Sequence, residues 1–261
     1  MSDSVSPAKV FFAILRRDVT VARRELPYFL IRTTMQPLLF VIVFGFLLPR
    51  MGLVARNFTT VMIPGIVALS LAMSAIQSVA MPMMADFGFT KEIEDRLLAP
   101  IPTELVAIEK IVAGVLQGFV AAIFVLPAAR LIMGPIPALS FGNIGLLLLM
   151  TVLSGAAFSA MGLFLGTAIA PQQIGLIFSV ILAPMIFFGC TYYPWVGLDR
   201  VPVVKYLVLI NPLVYVSEGM RSALTPAVPH MPVAATLAAL AVISALFLWL
   251  GLRAFDRRAI S

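Results

Sequence analysis

Cysteine, histidine and charge are all scarce in this chain of 261 residues, which has one cysteine, one histidine and 11% charged residues. The single cysteine, Cys190, excludes an internal disulfide and a cysteine-based metal site. The single histidine, His230, excludes any site that needs two histidines. Soluble domains carry about 25% charged residues, whereas 61% of this sequence is hydrophobic. The composition therefore predicts an integral membrane protein.

Charged side chains are also missing from the middle of every long apolar run. Ion-coupled transporters usually need ionisable groups within the membrane as proton or cation relays. Intramembrane hydrolases and metal enzymes need clustered acids, histidines or cysteines. No P-loop of the form GxxxxGK[ST] occurs either. We therefore expect a chain that binds no cofactor, is not itself an enzyme and receives its energy from outside.

Apolar runs of about 20 residues predict membrane-spanning helices. Six segments qualify: Phe29–Leu48, Val61–Met84, Leu105–Leu126, Ile144–Ile169, Ile174–Gly189 and Val233–Leu252. The fifth is short and follows Pro171-Gln172-Gln173, which indicates a tight hairpin with the fourth. The predicted fold class is an all-α integral membrane protein with six transmembrane helices in one domain over residues 1–261.

Lysine and arginine predict the orientation of these spans. With both termini in the cytoplasm, ten Lys and Arg residues lie inside and six lie outside. Because cytoplasmic loops carry the excess of positive charge, this bias favours cytoplasmic N and C termini. The net charge of +6 is attributed to the same bias, and we expect no nucleic-acid partner. The polar first ten residues indicate no cleavable signal peptide.

Residues 7–26 have the pattern of an amphipathic helix. Lys9, Arg16 and Arg23 recur every seven residues and share one face, opposite an apolar stripe. Such a helix lies in the membrane interface with its basic face toward anionic headgroups. An ordinary basic cytoplasmic tail is the alternative. Farther on, Glu109 and Lys110 are predicted to be a pair that snorkels toward the inner interface.

One segment, residues 86–103, holds six of the thirty charged residues. Within it, Glu92 and Arg96 are four residues apart in the favourable helical order, and Pro100 ends the predicted helix. An apolar ridge is formed by Phe89, Ile93, Leu97 and Leu98. An apolar ridge with a mixed-charge rim suits the groove of a soluble partner. A helix resting on the bilayer surface is the alternative.

Residues 191–224 are predicted to form outer re-entrant helices, because Val201–Ile210 and Leu213–Leu224 are each too short to cross. Before them comes the aromatic run Tyr192, Tyr193, Pro194 and Trp195. That run is typical of an aromatic belt at the interface, and an outer gate is the second interpretation. Glu218 and Arg221, three residues apart, are predicted to pair with each other.

Two GxxxG patterns, Gly114 to Gly118 and Gly162 to Gly166, permit close helix approach. Packing within the subunit is the preferred interpretation, and a dimer seam is the alternative.

The order of these features resembles the permease subunit of type-2 ABC exporters over nearly the whole chain. The most specific parts are the loop Glu92–Pro100, the Tyr193-Pro194 element and the segment Asn211–Arg221. The closest likeness is to the bacterial drug-resistance and nodulation-factor export branch. The resemblance implies a bacterial cytoplasmic-membrane complex of two permeases, alike or different, and two ABC ATPase subunits, with ATP and Mg on the ATPase.

The resemblance also implies roles for particular residues. Coupling to the ATPase would fall to Phe89, Glu92, Ile93, Asp95, Arg96, Leu97, Leu98 and Pro100. An outer gate would be formed by Tyr192, Tyr193, Pro194, Trp195, Glu218 and Arg221. The expected function is export of a hydrophobic drug or lipid-like substrate. Export of a polysaccharide or lipid-linked glycan, a non-transporting membrane scaffold and an intramembrane enzyme are the alternatives.

Overall fold

The fold was analysed in a computed structural model, which describes residues 7–55, 58–90, 102–136 and 138–260. Every regular element in these ranges is helical, which confirms the predicted all-α class. The helices are α1 (Pro7–Arg24), α2 (Leu26–Arg50), α3 (Phe58–Ala85), α4 (Thr103–Met133), α5 (Ile144–Ala168), α6 (Ile174–Phe187), α7 (Pro202–Leu207), α8 (Pro212–Leu224) and α9 (Val233–Ile260). Within α2, the segment Val41–Leu47 is π-helical. Short 3₁₀ turns occur at Pro171–Gln173, Trp195–Arg200 and Val208–Ile210.

Five of these helices, α2, α3, α4, α5 and α9, are long and apolar enough to cross a membrane. They coincide with five of the six predicted spans. The remaining predicted span contains α6, which has 14 residues. At 1.5 Å per residue this helix is about 21 Å long, shorter than the hydrocarbon core of about 30 Å. The count of six spans therefore stays a prediction.

Helix α3 lies at the centre of the bundle. Of its most apolar window, 89% is buried, and it packs against α2, α4, α5 and α8. Glycine makes the contact with α5 possible: a Cβ at Gly162 would lie 2.6 Å from the Ile76 carbonyl oxygen, and one at Gly166 would lie 2.7 Å from that of Ala80. The Gly162 to Gly166 pattern therefore serves packing within the subunit, which is the preferred interpretation of the sequence.

The second pattern, on α4, packs against the same helix. A Cβ at Gly114 would lie 2.6 Å from a Val79 methyl group, and one at Gly118 would lie 3.2 Å from the Leu71 carbonyl oxygen. Both patterns thus face α3, and Gly114 also faces α5, where its Cβ would lie 2.5 Å from the Ser159 hydroxyl oxygen. These contacts lie within one chain. At its C-terminal end α3 also meets α9, where the rings of Phe87 and Phe255 are 5.7 Å apart.

The two ends of α6 lie at opposite ends of this bundle. Just before α6, the Ile169 carbonyl accepts a hydrogen bond from Arg258 in the last turns of α9. Just after α6, the Cys190 carbonyl accepts one from Arg221, whose guanidinium also reaches the carbonyl of Val61 in the first turn of α3. The chain between these two contacts therefore runs the length of the bundle, although α6 itself is short.

Helix α1 forms where the heptad spacing predicts it, and Lys9, Arg16 and Arg23 are all exposed. Its position in the membrane interface stays a prediction. The prediction that Glu109 and Lys110 snorkel outward is wrong, because both side chains are buried. They do pair, with 3.9 Å between the Lys110 Nζ and a Glu109 carboxylate oxygen. The closer partner of Lys110 is Asp18 on α1, which anchors that helix to α4.

Candidate functional site

The outer helices form largely where the sequence predicts them. Helix α7 and the 3₁₀ turn that follows it cover Pro202–Ile210, and α8 covers Pro212–Leu224. The chain bends by 99° between them. Asn211 stabilises the bend, because its Oδ1 accepts the Leu213 N–H at 2.9 Å and its Nδ2 donates to the Met185 carbonyl at 2.8 Å. A re-entrant path in the outer leaflet stays a prediction.

A buried ion pair lies beneath these helices. Glu218 and Arg221, one turn apart on α8, form a salt bridge as predicted, and neither has any exposed surface. The carboxylate is fully used: Oε1 accepts the Trp195 N–H at 2.8 Å, and Oε2 accepts the Met231 N–H at 2.7 Å. Burial of two charges is tolerated only when such hydrogen bonds satisfy the remaining lone pairs.

The guanidinium of Arg221 extends the same network to two other segments. Its Nη2 donates to the Cys190 carbonyl at 3.0 Å and to the Val61 carbonyl at 3.3 Å. One ion pair therefore joins the first turn of α3, the turn after α6, helix α8 and, through Glu218, the residue Met231 that precedes α9. The sequence predicted the pair from its spacing, but it contains no signal for the four backbone partners.

The turn after α6 is strained and tightly enclosed. Cys190 has a left-handed backbone with φ of 52°, a conformation that costs a non-glycine residue about 1 kcal/mol or more. Burial, with a smaller contribution from the Glu218 carboxylate, raises the pKa of the Cys190 thiol to about 12. On the α3 side, a Cβ at Gly65 would lie 2.0 Å from the Thr191 carbonyl oxygen. The turn is therefore held against α3 with no room for a side chain between them.

The predicted outer aromatics make internal contacts. The Tyr192 ring lies 5.1 Å from that of Phe40 and 5.3 Å from that of Phe44, both on α2. Tyr193 donates its hydroxyl hydrogen to the Phe187 carbonyl at 3.1 Å, and burial raises its pKa to about 12.

The last residues of this run lie against α7. Pro194 leads into the 3₁₀ turn that begins at Trp195. The Trp195 Nε1 donates to the Lys205 carbonyl at 3.0 Å, and the ammonium of Lys205 lies 4.1 Å above the indole. These partners tie α2, α6 and α7 together, so the run is more than a belt facing lipid. Whether it acts as a gate stays a prediction.

An apolar cavity of about 340 Å³ opens between α6 and the outer helices. It is lined by Met161, Ile181, Pro184, Met185, Phe188, Leu207, Val208, Ile210, Asn211 and Pro212. Asn211 is the one polar side chain among these described lining residues, and it is already bonded to Met185. The cavity can therefore hold an apolar group by size and lining, without a charged anchor.

The charged loop itself falls largely outside the described residues. This applies to Glu92, Ile93, Asp95, Arg96, Leu97, Leu98 and Pro100, and to the side chain of Phe89. The flanks of the loop are described. Helix α3 continues as a π-helical segment, Asp86–Thr90, and Thr103 begins α4. The Thr103 hydroxyl donates to the Asp256 carboxylate at 3.2 Å, and Phe87 packs on Phe255. Both ends of the loop therefore meet the last turns of α9.

In the described ranges, no group of three or more acidic, histidine or cysteine side chains is placed to hold a metal ion. The functional features that sequence reasoning missed are the anchor of Lys110 on Asp18 and the contact of both loop ends with α9. Each joins residues far apart in the chain, and a single sequence gives no indication of such pairings.

Comparison with known proteins agrees with this architecture. The family described as ABC-2 type transporter matches residues 9–225, which include the charged loop, the aromatic run and the ion pair. The inner membrane transport permease YadH of Escherichia coli K12 is 30% identical over 188 residues, covering 70% of this chain and 70% of that protein. The proteins of the same name from Escherichia coli O157:H7 and Shigella flexneri match equally well. The chain therefore belongs to the ABC-2 type transporter family.

Proposed function

We propose that this chain is the transmembrane permease of an ATP-driven exporter, powered by a separate ABC ATPase subunit that carries the ATP and Mg. The observation that supports this most strongly is the family match, which spans the bundle, the charged loop and the outer helices together. The relatives described as inner membrane transport permeases support a multi-pass protein of the bacterial cytoplasmic membrane. In this proposal the chain crosses six times and both termini are cytoplasmic.

The charged loop is the proposed docking site for the ATPase. The loop begins at the end of α3, the most buried helix of the bundle. Both of its flanks contact the last turns of α9, through Phe87 and Thr103. A force applied to the loop therefore acts on helices that pack across the whole bundle. Within the loop, Ile93, Leu97 and Leu98 would fill an apolar groove, and Glu92, Asp95 and Arg96 would fix its register.

The proposed substrate is a hydrophobic or amphipathic drug or lipid-like molecule. The apolar cavity beneath the outer helices supports this class, because it offers about 340 Å³ lined almost entirely by apolar side chains. The outer helices would act as the exit gate, with Tyr192 and Trp195 at its edge. The ion pair of Glu218 and Arg221 would hold the gate in place rather than contact the substrate, because all of its polar contacts are internal.

A second permease subunit is part of the proposal. Apolar side chains on α2 and α6 are exposed in the single chain, among them Ile31, Leu39, Leu176, Val180 and Phe187. Exposed apolar side chains also occur on α4, α5 and α9, and a partner permease would cover part of this apolar surface, with the lipid bilayer covering the remainder.

Co-purification with the ATPase tests the proposal. The permease is expressed with a candidate ABC ATPase subunit from the same bacterium, and the ratio of the two subunits is measured after affinity purification. We expect Leu97→Asp to reduce the bound ATPase by about tenfold or more, because a charge in an apolar groove loses the contact and adds a desolvation cost. Arg96→Glu should act in the same direction.

The matched control is Arg200→Glu, which makes the same charge reversal at an exposed residue of the 3₁₀ turn after Trp195. It should leave the subunit ratio unchanged. If the loop variants retain the ATPase as well as this control does, the docking assignment is wrong. If the wild-type chain binds no ABC ATPase at all, the permease proposal itself is wrong.

A further inference from the structure

A second cavity lies far from the outer helices, where α5 and α9 end. It has a volume of about 610 Å³ and is lined by Phe164, Thr167, Ala168, Ala170, Trp249, Leu250, Arg253, Ala254, Arg257 and Arg258. Three of these residues are arginines, and none of these described lining residues is acidic. The cavity is therefore apolar on its bundle side and cationic toward the end of α9.

The three arginines differ in their contacts and exposure. Arg258 donates to the carbonyls of Thr167 at 2.7 Å and Ile169 at 3.3 Å, and so caps the end of α5. Arg253 and Arg257 are exposed and four residues apart on α9. Residues with this spacing lie on the same helix face with Cβ atoms about 5–6 Å apart. Two guanidinium groups therefore lie side by side, where both can donate hydrogen bonds to the oxygens of one phosphate group.

The helix face that carries Arg253 and Arg257 continues into the apolar part of the cavity. Trp249 precedes Arg253 by four residues, and its ring lies 4.8 Å from the guanidinium carbon of that arginine. The indole is about half exposed, and a tryptophan near the end of an apolar helix is typical of the membrane interface. Asp256 is the one acidic residue of these last turns of α9, and its carboxylate accepts the Thr103 hydroxyl on another face. Among the described lining residues, no acidic side chain competes for the two exposed arginines.

We propose that this cavity binds an anionic diacyl phospholipid. Its phosphate would lie between Arg253 and Arg257, and an acyl chain would follow Trp249 and Phe164 along α9. Basic pockets at the end of transmembrane helices recognise anionic lipid headgroups in this way. The site shares no described lining residue with the apolar cavity beneath the outer helices.

Native mass spectrometry of the full chain tests the site. The purified protein is mixed with equal amounts of phosphatidylglycerol and phosphatidylcholine in mild detergent, and the retained lipid is counted. We expect the wild type to retain phosphatidylglycerol preferentially. The double variant Arg253→Gln/Arg257→Gln should retain about tenfold less, because each basic residue near a headgroup contributes a several-fold factor to affinity.

The matched control is Arg130→Gln/Arg200→Gln, which removes two arginines that are also exposed and do not line the cavity. It should retain as much phosphatidylglycerol as the wild type. An equal loss in both double variants would show a response to net charge and would overturn the site, as would equal retention of the two lipids by the wild type. Unchanged protection of the Cys190 thiol from maleimide verifies that each variant is folded.

Two further measurements separate a lipid from its headgroup alone. Trp249→Ala should reduce retention of both lipids several-fold while it preserves the preference for phosphatidylglycerol. Excess glycerophosphoglycerol, the same headgroup without acyl chains, should not displace the lipid. Displacement by that soluble headgroup, or a Trp249→Ala variant that binds like the wild type, would overturn the assignment to a diacyl lipid.

Discussion

Replacement of Arg221 by alanine tests whether the buried ion pair holds the outer helices against the bundle. Arg221 and Glu218 have no exposed surface, and the guanidinium also donates to the Cys190 carbonyl. Loss of one partner of a buried ion pair costs about 3–5 kcal/mol, because the other charge stays buried without compensation. We therefore expect Arg221→Ala to destabilise the cluster around the outer helices by about 3–5 kcal/mol.

The native thiol of Cys190 reports this change directly. It is the only cysteine of the chain, it is fully buried, and burial raises its pKa to about 12. Alkylation by N-ethylmaleimide therefore requires the cluster to open. Because each 1.4 kcal/mol is a factor of ten, the alkylation rate should rise about 140-fold to 3,700-fold when reclosing is faster than alkylation. Intact-mass spectrometry of the purified protein follows the reaction.

Two variants show whether the cause is charge burial. Arg200→Ala removes an exposed arginine from the same region and should alkylate at the wild-type rate. Glu218→Gln/Arg221→Met leaves neither charge in the cluster and should alkylate more slowly than Arg221→Ala alone, because no uncompensated charge remains. Equal alkylation rates in the wild type and in Arg221→Ala would refute the proposed role of the ion pair.

Three further predictions follow from other contacts. The thiol of Cys190 binds its proton more tightly in the folded than in the unfolded chain, so stability should fall as pH rises from about 9 toward 12; Cys190→Ala should flatten that decrease in melting temperature. Gly65→Ala should destabilise the protein by about 3 kcal/mol in thermal unfolding because its Cβ meets backbone, whereas Gly175→Ala, which points into open space, should not destabilise it. Asp18→Asn should increase hydrogen exchange across α1, since it removes the charge that pairs with Lys110; unchanged exchange would contradict the anchoring of α1.

Much of the fold follows from composition and local spacing. Apolar length predicts α3, α4 and α5 because each must satisfy its backbone hydrogen bonds within one helix in lipid. Proline marks the starts of α7 and α8, since Pro202 and Pro212 lie in their first turns. Pairing of Glu218 with Arg221 follows from the i, i+3 rule, which depends only on helix geometry.

Contacts between distant segments were not predictable in this way. Lys110 has an acidic neighbour in sequence, Glu109, yet its closer partner is Asp18, 92 residues away. The Cys190 carbonyl accepts a hydrogen bond from Arg221. The left-handed residue of that turn is Cys190 and not the adjacent Gly189, which the sequence would favour for such a backbone. Such pairings depend on which helix faces meet, and a single sequence does not specify them.

Helix α3 is buried and runs between the two ends of the protein, so a tilt of this helix displaces both ends together. From Val61 to Phe87 the chain is continuously helical, and a helix of this length measures about 39 Å. A tilt of about 10° around its midpoint would displace each end by about 3–4 Å. The hydrogen bond from Arg221 to the Val61 carbonyl is already 3.3 Å long and tolerates little further extension. Any such tilt produced at the charged loop must therefore either carry the outer helices along or break their attachment to α3.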